Sequence, residues 1–149
     1  MKARVLVVDD EADFLHLVEF NLMRQGFEVC RAASALEALH KARCEAPDVI
    51  VLDLMLPDLD GFAVCDILRA QPSTRDLPII ILSALQEPAA SERLAKTNIW
   101  QHFVKGVDFK VLGTCVGAAF QLRRAGLTRR LALEADEEAE SAGALEKET

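Results

Sequence analysis

Four short stretches of the chain end on groups able to do ionic chemistry: Asp9, Asp10 and Glu11 together, then Asp53, then Ser83, then Lys105. Carboxylates from two stretches, a hydroxyl and an ammonium form the inventory for an oxygen-liganded divalent cation with a phosphoryl group beside it. Clustered carboxylates repel one another, and a hard cation such as Mg²⁺ relieves that repulsion while keeping several of its waters. In this reading Asp10 and Asp53 are direct ligands, and Asp53 keeps an oxygen with which to attack phosphorus. Lys105 pairs with one phosphoryl oxygen and Ser83 hydrogen-bonds another, so the stabilisation is mostly electrostatic. No residue of the set is placed as a general base. A single Asp at such a position reads more simply as a helix cap or solvated turn, and only the coincidence of four stretches carries the chemical reading.

The elements that must position these groups alternate. The valine-rich run Arg4 to Asp9 reads as a strand, and Phe14, Leu15, Val18 and Leu22 recur at helical spacing until Gly26. Phe27 to Cys30 is a second strand. Ser34 and Glu37 make a capping box ahead of a helix carrying Leu36, Leu39 and Cys44. Asp48 to Asp53 is a third strand, and Phe62, Val64, Cys65 and Leu68 mark a third helix after the loop from Met55 to Gly61. Leu77 to Leu82 and the weaker Ile99 to Val104 are further strands. A helix over Ala89 to Lys96, with Pro88 in its first turn, separates them, and Asp108 to Arg124 forms the last helix. Apolar strands each followed by a helix predict a parallel sheet covered on both faces, with right-handed crossovers. Five such units are too few for the eight-fold barrel, which takes about 250 residues, so a doubly wound α/β domain with an open sheet is expected. Open sheets bind ligands outside the carboxyl ends of their strands, which is where the four reactive stretches end.

Composition agrees with a compact domain: 51% of residues are hydrophobic and the formal charge is −7. No apolar run approaches the roughly 18 residues that span a bilayer, and Asp9 to Glu11 interrupt the only apolar stretch near the start, so a cytoplasmic location is expected. Cys30, Cys44, Cys65 and Cys115 contain no C-x-x-C pair and read as reduced thiols. Much of the negative charge is concentrated in acidic residues 134, 136, 137, 138, 140, 146 and 148. Arg123, Arg124, Arg129 and Arg130 next to that run are weak evidence for nucleic acid, and no DNA binding is expected.

At Val7-Val8-Asp9-Asp10-Glu11, Asp53-Leu-Met-Leu-Pro57-Asp-Leu-Asp60-Gly61, Ser83-Ala84 and Val104-Lys105, the chain resembles the receiver domain of two-component response regulators. Ser83 follows Asp53 by 30 residues and Lys105 follows Ser83 by 22, the spacings of that family. The resemblance spans about residues 4–124 and implies a flavodoxin-like sheet with strand order 2-1-3-4-5. It implies that Asp53 accepts a phosphoryl group from a histidine kinase or phosphotransfer protein. Asp10 would then bind Mg²⁺ directly and Asp9 through water, with the Met55 backbone carbonyl as a further ligand. Output would pass to a downstream protein through the fourth helix, fifth strand and fifth helix, with a phosphorylation-dependent homodimer as one form of it.

Several positions depart from the family pattern. Gly106 stands where proline usually follows the lysine, so a trans peptide at 105–106 and a displaced Lys105 ammonium are expected. Asn98-Ile99-Trp100-Gln101 replaces the usual Gly-Ala-Asp-like segment. The switch aromatic three residues before the lysine is His102, which reads equally as an ordinary strand histidine, whereas Phe103 reads as core. Trp100 is either an apolar anchor on the output face or plain packing. The resemblance makes Met55 and Leu85 the positions that tune dephosphorylation, and two apolar groups there predict a long-lived phosphorylated state.

We therefore expect a receiver domain over residues 1–125 and an acidic tail, helical extension or linker over residues 126–149. The expected activity is signalling, with phosphotransfer and slow dephosphorylation at Asp53 only. A receiver-like interaction module that ignores phosphate is the alternative. A phosphohydrolase of the haloacid-dehalogenase type is less favoured: Asp58-Leu-Asp60-Gly61 looks like its D-x-D-G motif, but there the nucleophile lies on the first strand and the metal-binding acidic pair comes late.

Overall fold

The computed structural model describes residues 2–84, 93 and 99–126. Five strands form one sheet: β1 (Arg4–Val8), β2 (Glu28–Ala32), β3 (Val49–Leu52), β4 (Ile79–Ser83) and β5 (Gln101–Val104). All neighbouring strands are parallel and their order is β2-β1-β3-β4-β5. The winding direction therefore reverses between β1 and β3, and the carboxyl ends of those two strands carry Asp9 and Asp53.

Period-two alternation divides the strand side chains between two cores. Val5, Val7, Val49, Val51, Ile80 and Leu82 face one way and pack with Leu15, Val18 and Leu22 of α1 (Ala12–Arg24). Leu112, Val116, Ala119 and Phe120 of the last helix, α4 (Phe109–Arg124), complete that core. Leu6, Val8, Ile50, Leu52, Ile79 and Ile81 face the other way, onto α2 (Ala35–Cys44) and α3 (Gly61–Ala70). Burying a side chain such as Ile50 or Ile80 completely is worth about 1.5–3 kcal/mol, and the central strands do this on both faces.

The expected (β/α) alternation is present, with four helices among the described residues; the helix expected over 89–96 lies outside them. Boundaries differ by a residue or two. Phe27 closes α1 through a hydrogen bond to the Leu22 carbonyl, and β2 begins at Glu28. The fourth strand includes Ser83, whose backbone oxygen accepts from Lys105 N–H at 3.0 Å. The buried face of α2 is an alanine stripe, Ala35, Ala38 and Ala42, whereas Leu36 is 65% exposed and Cys44 is exposed. Small side chains let α2 sit close to the sheet, and this stripe escapes a reading based on large apolar residues. The capping box is also modified: Ser34 Oγ accepts from Glu37 N–H at 3.2 Å, but Glu37 reaches back to Ala33 N–H.

This assignment of faces on α2 is testable by chemical denaturation. Leu36→Ala is expected to change stability by less than about 0.5 kcal/mol, whereas Ala38→Leu, forced into the filled stripe, is expected to cost about 1–3 kcal/mol.

Candidate functional site

Hydrogen bonds from the strand ends set the site. Asp9 N–H donates to Ala32 O at 3.1 Å and Asp53 N–H to Val8 O at 3.0 Å, so each residue extends its strand by one ladder step before the chain turns away. Both residues are buried, at 2% and 3% exposure, while Asp10 beside them is exposed. Oxygens of Asp9, Asp10 and Asp53 all lie within 4.8 Å of one another. That is a hard, anionic oxygen set of the kind that suits Mg²⁺ or a similar cation.

Lys105 reaches into this cluster from the end of β5. Its ammonium lies 2.9 Å from Asp9 Oδ2, 3.1 Å from Glu11 Oε1 and 3.2 Å from Asp53 Oδ2. The same Nζ sits 4.6 Å from the centroid of the Phe14 ring, which flanks it with an apolar, π-rich wall. Burial disfavours the ammonium, but hydrogen bonds to Asp9 and Glu11 and the charge of Asp53 prevail and hold its pKa above the ordinary lysine value. Burial is the largest influence on Asp9 and raises its pKa, against the lowering effects of Lys105 and of the Glu11 N–H, which donates to Asp9 Oδ1 at 2.8 Å.

The ammonium is thus not displaced, contrary to the expectation drawn from Gly106. The peptide bonds of the described residues are all trans, and Gly106 adopts φ +108°, a region open to glycine and closed to proline. The turn is closed by Val107 N–H donating to Val104 O at 3.2 Å, which leaves Lys105 aimed at the carboxylates. Positive φ at Gly106 does the positioning that a fixed proline ring would otherwise do.

The loop after Asp53 is tied down at several points. Met55 N–H donates to Asp53 Oδ1 at 3.1 Å, while the Met55 side chain is 59% exposed. Asp60 caps α3 by accepting from Phe62 N–H at 2.8 Å and pairs with Arg93 at 3.2 Å; the Arg93 guanidinium lies 4.0 Å from the Phe62 ring centroid. Gly61 meets the backbone of this loop directly. A Cβ there would stand 2.5 Å from Leu54 Cα and 2.9 Å from Asp53 O. Asp58 turns away from the cluster and accepts from Ala35 and Leu36 N–H, both at 2.9 Å. The D-x-D-G resemblance at Asp58 to Gly61 therefore resolves into two helix caps and a close approach.

Ser83 is fully buried at the end of β4, paired in register with Val104. His102 pairs with Ile81, so it lies on the α2–α3 side of the sheet; its Nε2 is buried and has no hydrogen-bond partner among the described residues, and burial lowers its pKa. Phe103 packs in the α1–α4 core as expected, and Trp100 is buried there at 7% exposure. Leu85 lies outside the described residues. The contacts of Phe14 and Arg93 were not legible in the sequence, because a ring beneath an ammonium and a guanidinium over a ring have no spacing signature.

The chain matches the profile described as response regulator receiver domain over residues 5–116. Over 87 residues it is 48% identical to the alkaline phosphatase synthesis transcriptional regulatory protein of Bacillus subtilis, a match that covers 58% of this chain and 35% of that protein. The matched stretch is thus about a third of the length of that relative. A response regulator structure from Chloroflexus aurantiacus superposes with a TM-score of 0.76 at 30% identity, covering 81% of this chain and 99% of that one. The chemotaxis response regulator CheY4 of Vibrio cholerae superposes with a TM-score of 0.73 at 28% identity, covering 80% and 99%.

Two outcomes follow from this geometry. Gly61→Ala is expected to displace the 53–54 backbone and cost about 1–3 kcal/mol, with a matching perturbation of the Asp53 and Leu54 amide signals by NMR. His102 has a folded pKa below that of the unfolded chain, so its contribution to stability is complete above the unfolded value and is lost as pH falls through it towards the folded one. His102→Phe is accordingly expected to stabilise the domain more at pH 5 than at pH 8, as measured by urea unfolding at both.

Proposed function

The chain belongs to the response regulator receiver domain family, and we propose that Asp53 is its phosphoacceptor, charged by a histidine kinase or phosphotransfer protein. The observation that carries this reading is the Lys105 ammonium held between Asp9 and Asp53 at the carboxyl edge of the sheet, within a set of carboxylates that converge on one point. Asp9, Asp10 and Asp53, with the Met55 carbonyl, would hold Mg²⁺, which would supply charge neutralisation for the incoming phosphoryl oxygens.

The chain's own residues account for the remaining steps. A carboxylate oxygen of Asp53 attacks phosphorus; an O–P bond forms as the bond from phosphorus to the donor nitrogen breaks, and that nitrogen leaves with the electron pair. Lys105 exchanges part of its contact with the Asp53 carboxylate for a phosphoryl oxygen, and Ser83 hydrogen-bonds another. The backbone N–H of Met55, already on Asp53 Oδ1, orients the carboxylate during attack. Burial of Asp53 limits access of water to the acyl phosphate. With the exposed thioether of Met55 offering no strong hydrogen bond to a nucleophile, this favours a long-lived phosphorylated state.

We further read the face made by β5 and α4 as part of the output surface; the helix expected over 89–96 lies outside the described residues. Trp100, Phe103, Val111, Cys115 and Leu122 line an apolar groove on it, and Val111 is 50% exposed. His102 and Ser83 lie on the neighbouring strands that would transmit the change, by biasing an existing two-state equilibrium. We place the domain at residues 1–125, with residues 126–149 as tail or linker. Among the described residues no helix is long and apolar enough to cross a membrane.

Incubation with Mg²⁺ and a small acyl phosphate, followed by intact mass, tests the reading. Wild type is expected to gain one phosphoryl group, and Asp53→Asn none while keeping its fold by circular dichroism. A wild-type chain that stays unmodified would instead favour the phosphate-independent interaction module, and steady release of phosphate from a phosphomonoester would favour the hydrolase.

A further inference from the structure

We propose that Asp58 is a positioning residue for the phosphoacceptor loop: by accepting the first two free N–H groups of α2, it clips the loop after Asp53 to that helix and holds the Met55 amide on the Asp53 carboxylate. The inference rests on the reading of Asp53 as phosphoacceptor, and extends the set of residues that serve it to one pointing away from the cation cluster.

A helix leaves its first four N–H groups without partners inside the helix. In α2 three of them, on Ala35, Leu36 and Glu37, are taken by side chains. Ala35 N–H donates to Asp58 Oδ1 and Leu36 N–H to Asp58 Oδ2, each at 2.9 Å. Glu37 N–H donates to Ser34 Oγ at 3.2 Å, and the ordinary helical ladder begins with Ala38 N–H donating to Ser34 O at 3.0 Å. The cap is thus shared between Ser34, local to the helix, and a carboxylate 23 residues further along the chain. A negative charge at this end is also favoured by the helix dipole, and the two backbone donors, Leu36 first and then Ala35, hold the Asp58 carboxyl below its ordinary pKa.

The consequence lies at the other end of the loop. Between Asp53 and the start of α3 the apolar side chains of Leu54, Leu56 and Leu59 pack on the core, and backbone bonds add the Met55 N–H on Asp53 Oδ1, the Met55–Asp60 bridge and the Gly61 N–H on Leu54 O at 2.9 Å. Asp58 sits between the two residues of that bridge in sequence and fastens the intervening turn to a rigid element. Released from α2, the turn can lift, and the Met55 backbone loses the fixed distance from Asp53 that both its amide bond and its proposed carbonyl ligation require. A site held on rigid elements keeps its geometry, and a displacement of about 1 Å is enough to cost activity.

The test compares two capping groups of the same helix in the full chain. Asp58→Ala is expected to weaken Mg²⁺ affinity and slow acyl-phosphate-driven modification of Asp53 by about tenfold, and to speed hydrogen exchange at the Met55 amide. Asp58→Asn, which keeps an acceptor oxygen but not the charge, is expected to fall between Asp58→Ala and wild type on all three measures. Ser34→Ala removes a cap from the same turn without freeing the loop, and is expected to lower stability while leaving Mg²⁺ affinity, modification rate and Met55 exchange at wild-type values. Equal effects of Ser34→Ala and Asp58→Ala would overturn the proposal, because the loss would then run through helix stability alone. So would wild-type Met55 exchange and Mg²⁺ affinity in Asp58→Ala. Failure of the wild-type chain to accept a phosphoryl group sinks the phosphoacceptor reading instead, and Met55 exchange then still decides whether Asp58 positions the loop.

Discussion

One ammonium among four carboxylates sets the terms for the rest of the molecule. Lys105 touches Asp9, Glu11 and Asp53, and Asp10 lies in the same cluster. Such a concentration of negative charge is unfavourable in a partly buried setting unless it is compensated. Burial first, and the Asp53 charge as a smaller contribution, raise the pKa of Asp9, while hydrogen bonds to Asp9 and Glu11 and the charge of Asp53 raise that of Lys105 against its own burial. An excess of anionic oxygen that the protein alone does not balance is the property a site needs if it is to bind a divalent cation and then a phosphoryl group.

The fold exists to keep that arrangement from relaxing. The central strands β1 and β3 are buried on both faces, so the backbone carrying Asp9 and Asp53 cannot spread without exposing two cores at once. The loops are held by polar bonds instead. Asp60 caps α3, Asp58 caps α2 and Asp108 caps α4, each through a short side chain that accepts backbone N–H. Three acidic residues that composition alone counts as negative charge thus serve as joints between loops and helices. The chain's membership of the receiver domain family is shown by its match over residues 5–116, and these joints hold the loops that surround its carboxylate cluster.

Much of the architecture was legible because it depends on local chemistry. Valine and isoleucine runs separated by helical periodicities imply a parallel, doubly wound sheet, and the polar residues at the strand ends then have only one edge to occupy. The reading was weaker where the signal was small or depended on contact. The alanine stripe of α2 was hidden by its more conspicuous but exposed Leu36. Lys105 keeps its aim because Gly106 turns through positive φ, and no propensity distinguishes that from a slack loop.

The sequence by itself determined the class of fold, the edge on which chemistry is placed and the residue types available there, since these follow from periodicity and spacing. Only the tertiary structure decided which atoms meet: that Lys105 bridges Asp9 and Asp53, that Phe14 lies beside the ammonium, that Gly61 must be bare against Leu54, and that Asp58 faces α2 rather than the cluster. The physical reason is the distance along the chain. Asp58 and Ala35 are 23 residues apart and Lys105 and Asp53 are 52 apart, and whether such pairs come within 3 Å or so depends on how helices settle on a sheet through packing, which no local pattern encodes.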